Sequence, residues 1–332
     1  MSHTALSKDV LRIDAAAVAR QIQETLKQQV FVQLRRRGIV VGLSGGIDSS
    51  VTAALAVRAL GKDRVFGVFM PETDSSDEGL RFGRLLADAL GIPSLLEDIG
   101  PILTASGCYR RRDEAIRKVF PEYGPDHKCK MVLSSGEGYA ISSLVVQSPA
   151  GVQTKIRLTA EAYLGIVAAM NFKQRTRKMI EYFHADRLNY AVAGTPNRLE
   201  YDQGFFVKNG DGSADVKPIA HLYKTQVYQL ADHLGVPKEI QLRPSTTDTY
   251  SLPQSQEEFY FALPHDKMDY CLYGLNHNVP ASEVASVTGL TPQQVEKTYR
   301  DIITKRNATR YLHLKPLLIE DITEISSLEE KL

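Results

Sequence analysis

Ile39-Val40-Val41-Gly42-Leu43-Ser44-Gly45-Gly46-Ile47-Asp48-Ser49-Ser50 is the stretch on which the reading of this chain turns. Residues 39–43 form a short apolar run, the length of a buried strand. Residues 51–60 are rich in Ala and Leu and read as a helix. The segment between them therefore joins a strand to a helix. Glycines at such a junction let the backbone turn tightly and present several N–H groups to one anion. The helix that follows adds its positive end. Ser44, Ser49 and Ser50 bring hydroxyl donors. Asp48 is out of place beside a bare anion, but it fits a site where it holds Mg²⁺ and the ion bridges to phosphate oxygens. The segment lacks the lysine of the G-x-x-x-x-G-K-[ST] phosphate loop. The competing reading is a tight strand–helix turn with a Ser/Asp cap.

The pattern extends on both sides. Residues 15–34 have helical spacing at Val18, Ile22, Leu26 and Val30, with Asp14 as N-cap. Residues 65–70 read as a strand, 80–90 as a helix closed by Gly91, and 94–99 as another strand. Strand alternating with helix predicts a parallel sheet covered by helices, a doubly wound α/β fold. Residues 104–159 break the rhythm with an Arg110–Arg112 cluster and β-like stretches at 143–146 and 154–158. They are expected to form an insertion beside the main sheet. Helical spacing resumes over 160–183, a buried strand follows at 189–193 and a helix at 223–234. Residues 246–256 read as a loop and 263–303 as mainly helical, so the whole chain is expected to be one domain with an insertion at 104–159 and a helical C-terminal region at 263–318. Residues 326–332 are charged and expected to fray.

Composition narrows the function. The 332 residues carry a formal net charge of +1, with 43% hydrophobic and 24% charged residues. No global field draws such a chain to nucleic acid or an anionic membrane. No apolar run is long enough to span a bilayer, and residues 1–10 lack a signal-peptide core. Three cysteines, Cys108, Cys129 and Cys271, with no C-x-x-C pair, suit a reducing compartment, so the expectation is a cytoplasmic protein.

Later segments add polar strings at element ends. These are Gly194-Thr195-Pro196-Asn197-Arg198-Leu199-Glu200, then Phe205-Phe206-Val207-Lys208-Asn209-Gly210-Asp211-Gly212-Ser213-Ala214-Asp215. Leu222-Tyr223-Lys224-Thr225-Gln226 and Arg243-Pro244-Ser245-Thr246-Thr247-Asp248 follow. Upstream lies Asn171-Phe172-Lys173-Gln174-Arg175-Thr176-Arg177. Taken singly, a Gly-Asp-Gly turn, a lysine or a glutamate is ordinarily a solvated surface feature.

In their order, these strings resemble the ammonia-dependent NAD synthetases, members of the N-type ATP pyrophosphatases, over residues 15–99 and 160–318. The resemblance implies that S-G-G-I-D-S grips the β- and γ-phosphates of ATP while a substrate oxygen attacks the α-phosphate. It implies an ATP site at Ser44, Gly45, Gly46, Ile47, Asp48, Ser49, Ser50, Met70, Thr195, Lys224 and Thr246. Asp48 and Glu200 would hold Mg²⁺. Asn171, Arg175, Arg177, Lys208, Asp211 and Asp215 would bind deamido-NAD. Asp48, Lys224 and Asp211 would be catalytic, with Asp211 accepting a proton from ammonium. Phe69 departs from the family, several members of which carry an adenosine-contacting Arg there. The resemblance implies a homodimer supplied with free ammonia or by a separate ammonia-supplying subunit.

Two alternatives stand beside it. One is a relative that adenylates a different substrate and then amidates or thiolates it. The other is a helix-turn-helix regulator at 281–295, where Thr291, Pro292 and Gln294 spell a capped helix start. A DNA reader needs more basic and amide side chains than this segment offers.

Overall fold

The computed structural model describes residues 6–134, 141–246, 249–320 and 322. Residues 247–248 of the Pro-Ser-Thr loop and the tail 326–332 lie outside the described residues.

Helix α1 (Ala15–Lys27) opens as expected, the Asp14 carboxylate accepting from the Ala17 N–H at 3.0 Å. Its last turn widens into a π-helical segment, Gln28–Gln33. Strand β1 (Ile39–Gly42) leads through residues 43–46 into α2 (Ile47–Leu60), which starts four residues earlier than the sequence suggests. Asp48, Ser49 and Ser50 thus stand in the helix's first turn rather than in a loop. Then come β2 (Val65–Phe69), α3 (Asp77–Leu90), β3 (Ser94–Leu96), α4 (Gly100–Ala105) and α5 (Cys108–Arg117). The expected insertion holds three strands, not two: β4 (Lys128–Ser134), β5 (Ile141–Gln147) and β6 (Gln153–Arg157), paired antiparallel in that order. The missed strand, β4, alternates inward Cys129 and Met131 with outward Lys128 and Lys130, the period-2 signal of a half-buried strand.

Helix α6 (Ala160–Leu188) runs 29 residues, five more than its sequence pattern indicates. It is followed by β7 (Ala191–Ala193), α7 (Arg198–Gln203), α8 (Lys224–Leu234) and the short α9 (Lys238–Gln241). The C-terminal region supplies α10 (His265–Asn276), α11 (Ala281–Thr288) and α12 (Pro292–Thr309).

The main sheet is parallel, in the order β3-β2-β1-β7. Ile39, Val41 and Val65 pack on one face with Ile22, Leu26, Val51, Leu55, Val227 and Leu230 from α1, α2 and α8. Val40, Val68 and Val192 pack on the other with Leu103 and Ala185 from α4 and α6. Helices therefore cover both faces, as a doubly wound sheet requires. Burying one such Leu or Ile side chain stabilises the fold by about 1.5–3 kcal/mol.

The connection order fixes the site. From β1 the chain moves outward to β2 and β3, then returns to place β7 on the other flank of β1. The segments leaving β1 and β7 diverge at their carboxyl ends, and a crevice opens between them, the place where open α/β sheets bind ligands.

Candidate active site

The turn after β1 is held by its own groups. Gly45 has φ of 73°, and a side chain there would collide with the carbonyl oxygen of Gly79 on α3, so glycine alone fits both the conformation and the gap. The Ser44 and Ser49 hydroxyls lie 3.2 Å apart, and Ser44 Oγ accepts from the Gly46 N–H. Ser49 and Ser50 both donate to the Gly46 carbonyl, at 3.0 and 2.8 Å.

This turn forms part of the wall of a cavity of about 1660 Å³. Of the residues assigned to the ATP site, Ser44, Gly46, Ile47, Asp48, Ser49, Met70, Thr195, Lys224 and Thr246 line it. Gly45 and Ser50 do not, and they serve the turn's shape instead. Phe69 lines the same wall and packs against Gly83 of α3.

Asp48 faces two partners brought from far along the chain. Lys224 Nζ, at the start of α8 and only 2% exposed, donates to Asp48 Oδ2. Asn197 Nδ2 donates to Asp48 Oδ1 at 3.1 Å. Asn197 also caps α7, its Oδ1 accepting from the Leu199 and Glu200 N–H groups, while Glu200 Oε2 accepts from the Asn197 N–H at 3.1 Å. One capping box thus sets Glu200 on the same side as Asp48. Gln256 Nε2 donates to the other Glu200 oxygen at 2.9 Å. Burial, and then the Asp48 carboxylate, push the Glu200 carboxyl up to about 7. Burial works against the charge on Lys224, but Asp48 and Glu200 outweigh it and hold its pKa above the usual lysine value. Asp269 of α10, fully buried, accepts from the Lys224 and Thr225 N–H groups at 3.2 and 2.7 Å and fixes the start of α8.

The opposite wall is α6. Asn171, Gln174, Arg177, Lys178 and Glu181 recur along one helical face and all line the cavity. Arg177 Nε donates to the Met70 carbonyl at 3.3 Å. Lys173, fully buried on the neighbouring face, donates to Glu72, Asp74 and the Thr249 carbonyl at 2.7–2.8 Å. It ties the loop after β2 and the loop near residue 249 to α6.

The residues assigned to the dinucleotide are only partly gathered. Asn171, Arg177 and Asp211 line the cavity. Asp211 accepts from the Val207 N–H at 2.8 Å, and burial raises its pKa against that bond. Arg175, Lys208 and Asp215 stand outside the cavity wall. Arg175 is exposed on α6 and donates to the Lys208 carbonyl. Lys208 reaches the Tyr311 carbonyl at 2.8 Å, and Asp215 accepts from the Val192 N–H at 2.7 Å and from the Tyr182 hydroxyl. Lys178, Glu181, Asn197, Asp269 and Gln256 are among the polar residues of this region to which sequence reading gave no individual role. The helical spacing of α6 was the only local signal for the first two.

Face by face, then, the chain builds a doubly wound α/β fold with its cavity over the carboxyl ends of β1 and β7. The NAD synthase family model matches residues 18–121 and 139–311, and the chain belongs to that family. The match reaches into both ends of the segment 104–159. Two curated relatives named NH(3)-dependent NAD(+) synthetase are similar over nearly their full length. That of Rhizobium rhizogenes is 61% identical over 323 residues, covering 96% of this chain and 97% of its own. That of Mesorhizobium japonicum is 62% identical over 318 residues, covering 95% and 100%. Among solved structures, an NMN synthetase from Francisella tularensis superposes with a TM-score of 0.60 at 21% identity, covering 93% of this chain and all of that one. An NH3-dependent NAD synthetase from Campylobacter jejuni, in complex with the nitrate ion, gives 0.60 at 22% identity with the same coverage. These two share the fold.

Proposed function

We propose that the chain makes NAD from deamido-NAD and ammonia, coupled to cleavage of ATP into AMP and pyrophosphate. The observation that carries this reading is the pairing of the Ser44–Ser49 turn with Asp48 and Lys224 in one cavity, in a chain of the NAD synthase family.

A carboxylate acylates poorly because its leaving group would be an oxide. In the first step a carboxylate oxygen of deamido-NAD attacks the α-phosphorus of ATP. The bond to the bridging oxygen breaks and pyrophosphate leaves, giving an acyl-adenylate. Negative charge gathers on the pyrophosphate. The N–H groups at the start of α2, the Ser44 and Ser49 hydroxyls and the Lys224 ammonium, all beside the cavity, would receive it. No side chain needs to act as nucleophile, so catalysis rests on positioning and charge stabilisation.

Asp48 and Glu200 would hold Mg²⁺, an ion that one or two carboxylates hold in such sites. Asn197 joins the two carboxylates, and their mutual repulsion is one that a dication relieves. When bound, the ion supplies positive charge to the phosphates.

In the second step ammonia attacks the acyl carbon and AMP departs. Asp211, with its raised pKa, is the group we assign to take the proton from ammonium. A second copy of the chain, seated on the exposed Leu164, Met179 and Phe183 of α6, would bring its surface beside Arg175 and form the homodimer.

The thiolating alternative asks for a reactive cysteine. Cys108 and Cys129 are fully buried, and burial pushes the Cys108 thiol up to about 11. The DNA-binding alternative asks α12 to face outward. In the fold α12 buries Val295, Thr298 and Ile302, and its exposed Gln294, Lys297 and Arg300 stand at the rim of the cavity. No helix among the described residues is long and apolar enough to cross a membrane. The test is NAD formation by the purified chain with ATP, Mg²⁺ and deamido-NAD. Ammonium is expected to support it and glutamine not. Glutamine use by the chain alone, or no product with ammonium, overturns the reading.

A further inference from the structure

The Lys178–Glu181 pair on α6 plays no part in the chemistry above. Both residues are buried, at 6% and 7% exposure, and both line the cavity. Lys178 Nζ donates to Glu181 Oε2 at 2.5 Å. The other Glu181 oxygen has no hydrogen-bond partner among the described residues. It points at the carboxyl end of β1: a side-chain carbon on Gly42 would lie 2.7 Å from Oε1 and 3.2 Å from the Met70 methyl.

An ionised carboxylate only accepts hydrogen bonds. The unfilled Glu181 oxygen opens onto the cavity, where the donor of a ligand can meet it. Phosphate oxygens are acceptors too and would be repelled, so the triphosphate does not lie here. The donors that ATP carries away from its phosphates are the ribose hydroxyls and the adenine amine. The surroundings suit that end of the molecule. Val68, Phe69 and Met70 offer apolar surface to a base, and the phosphate-binding turn begins two residues beyond Gly42.

We propose that Glu181, steadied by Lys178, is a nucleoside-reading residue of the ATP site, accepting a hydrogen bond from a ribose hydroxyl or from the adenine amine. Lys178 fixes the carboxylate rotamer and balances its charge. The assignment rests on the ATP reading given above.

The experiment compares ATP with 2′-deoxy-ATP, 3′-deoxy-ATP and the triphosphate lacking the adenine amine, following pyrophosphate release in the presence of deamido-NAD. Three forms are used: the wild-type chain, Glu181→Gln, and the paired replacement Lys178→Met with Glu181→Leu. The paired form leaves no lone buried charge, so it is expected to fold. In the wild type, one analogue is expected to show a KM higher than that of ATP by about ten- to hundredfold, the range of a hydrogen bond to a charged group. That analogue identifies the donor, hydroxyl or amine. The paired form is expected to raise the KM for ATP by the same factor, with kcat and the KM for deamido-NAD little changed, and to treat that analogue and ATP alike. Glu181→Gln, which keeps an acceptor, is expected to recover part of the loss. Equal use of all four nucleotides by the wild type overturns the proposal, as does unchanged discrimination in the paired form. A wild-type chain that releases no pyrophosphate at all removes the ATP reading and this proposal with it, and that is visible before any variant is made.

Discussion

The ammonium of Lys224 rests on the carboxylate of Asp48, joining residues 176 positions apart. Asp48 stands in the first turn of α2 and Lys224 in the first turn of α8, so two helix starts converge on one point of the cavity. That convergence sets the charge of the site: a cation and a carboxylate where pyrophosphate would separate.

Asp48→Asn keeps the shape and the Asn197 contact but removes the charge. Pyrophosphate release in a single turnover is expected to slow by about 10²–10³-fold, the range for losing one transition-state contact. Binding of ATP and of deamido-NAD, measured by titration, is expected to change far less. Equal losses in binding and rate would reduce Asp48 to a structural residue.

Glu200→Gln retains the α7 capping geometry while lowering the charge of the carboxylate pair. The magnesium concentration for half-maximal activity is expected to rise. An activity curve against magnesium that does not move would take Glu200 out of the metal shell.

Asp269 governs a pH dependence of stability. Burial pushes its carboxyl from 3.8 up to about 7, against the Thr225 and Lys224 N–H donors. Between those values the folded chain keeps a proton that the unfolded chain has lost. Stability contributed by this group is therefore full below about pH 4, declines as pH rises and is gone above about pH 7. Thermal melts of Asp269→Asn across this window are expected to vary less with pH than those of the wild type. Parallel pH profiles would contradict the assignment.

The main sheet and the strand–turn–helix unit after β1 were legible because their signals are contiguous. A strand, two glycines and a helix occupy residues 39–60 without interruption. The Thr291–Gln294 capping box was legible for the same reason, and it forms as expected, with the Gln294 N–H donating to Thr291 Oγ1 at 3.2 Å. The helical reading of 263–303 held for that reason too. What stayed hidden is what the fold brings together. Asn197 meets Asp48 across 149 positions, and Gln256 meets Glu200 across 56. Nothing local in either segment announces the other. Lys178 and Glu181 carry an ordinary i,i+3 charge pair, which on most helices faces solvent. Only the burial of α6 against the cavity makes it polar lining. Strand β4 was overlooked although Cys129 and Met131 alternate with lysines, because its partner strand lies beyond an intervening segment.

Asp211→Asn separates the two chemical steps. Pyrophosphate release without ammonium is expected to remain near the wild-type rate, while NAD formation falls by about 10²–10⁴-fold, the usual contribution of a positioned proton acceptor. Product chromatography beside a pyrophosphate assay checks this. Loss of both steps together would make Asp211 a substrate-binding residue only.

The central claim is that the cavity over β1 and β7 joins deamido-NAD to AMP before ammonia enters. Rapid-quench measurement of pyrophosphate from ATP, Mg²⁺ and deamido-NAD in the absence of ammonium tests it most directly. The expected result is a burst of one pyrophosphate per active site that requires deamido-NAD, with NAD appearing only on addition of ammonium. No pyrophosphate until ammonium is present, or release that does not depend on deamido-NAD, would contradict the account.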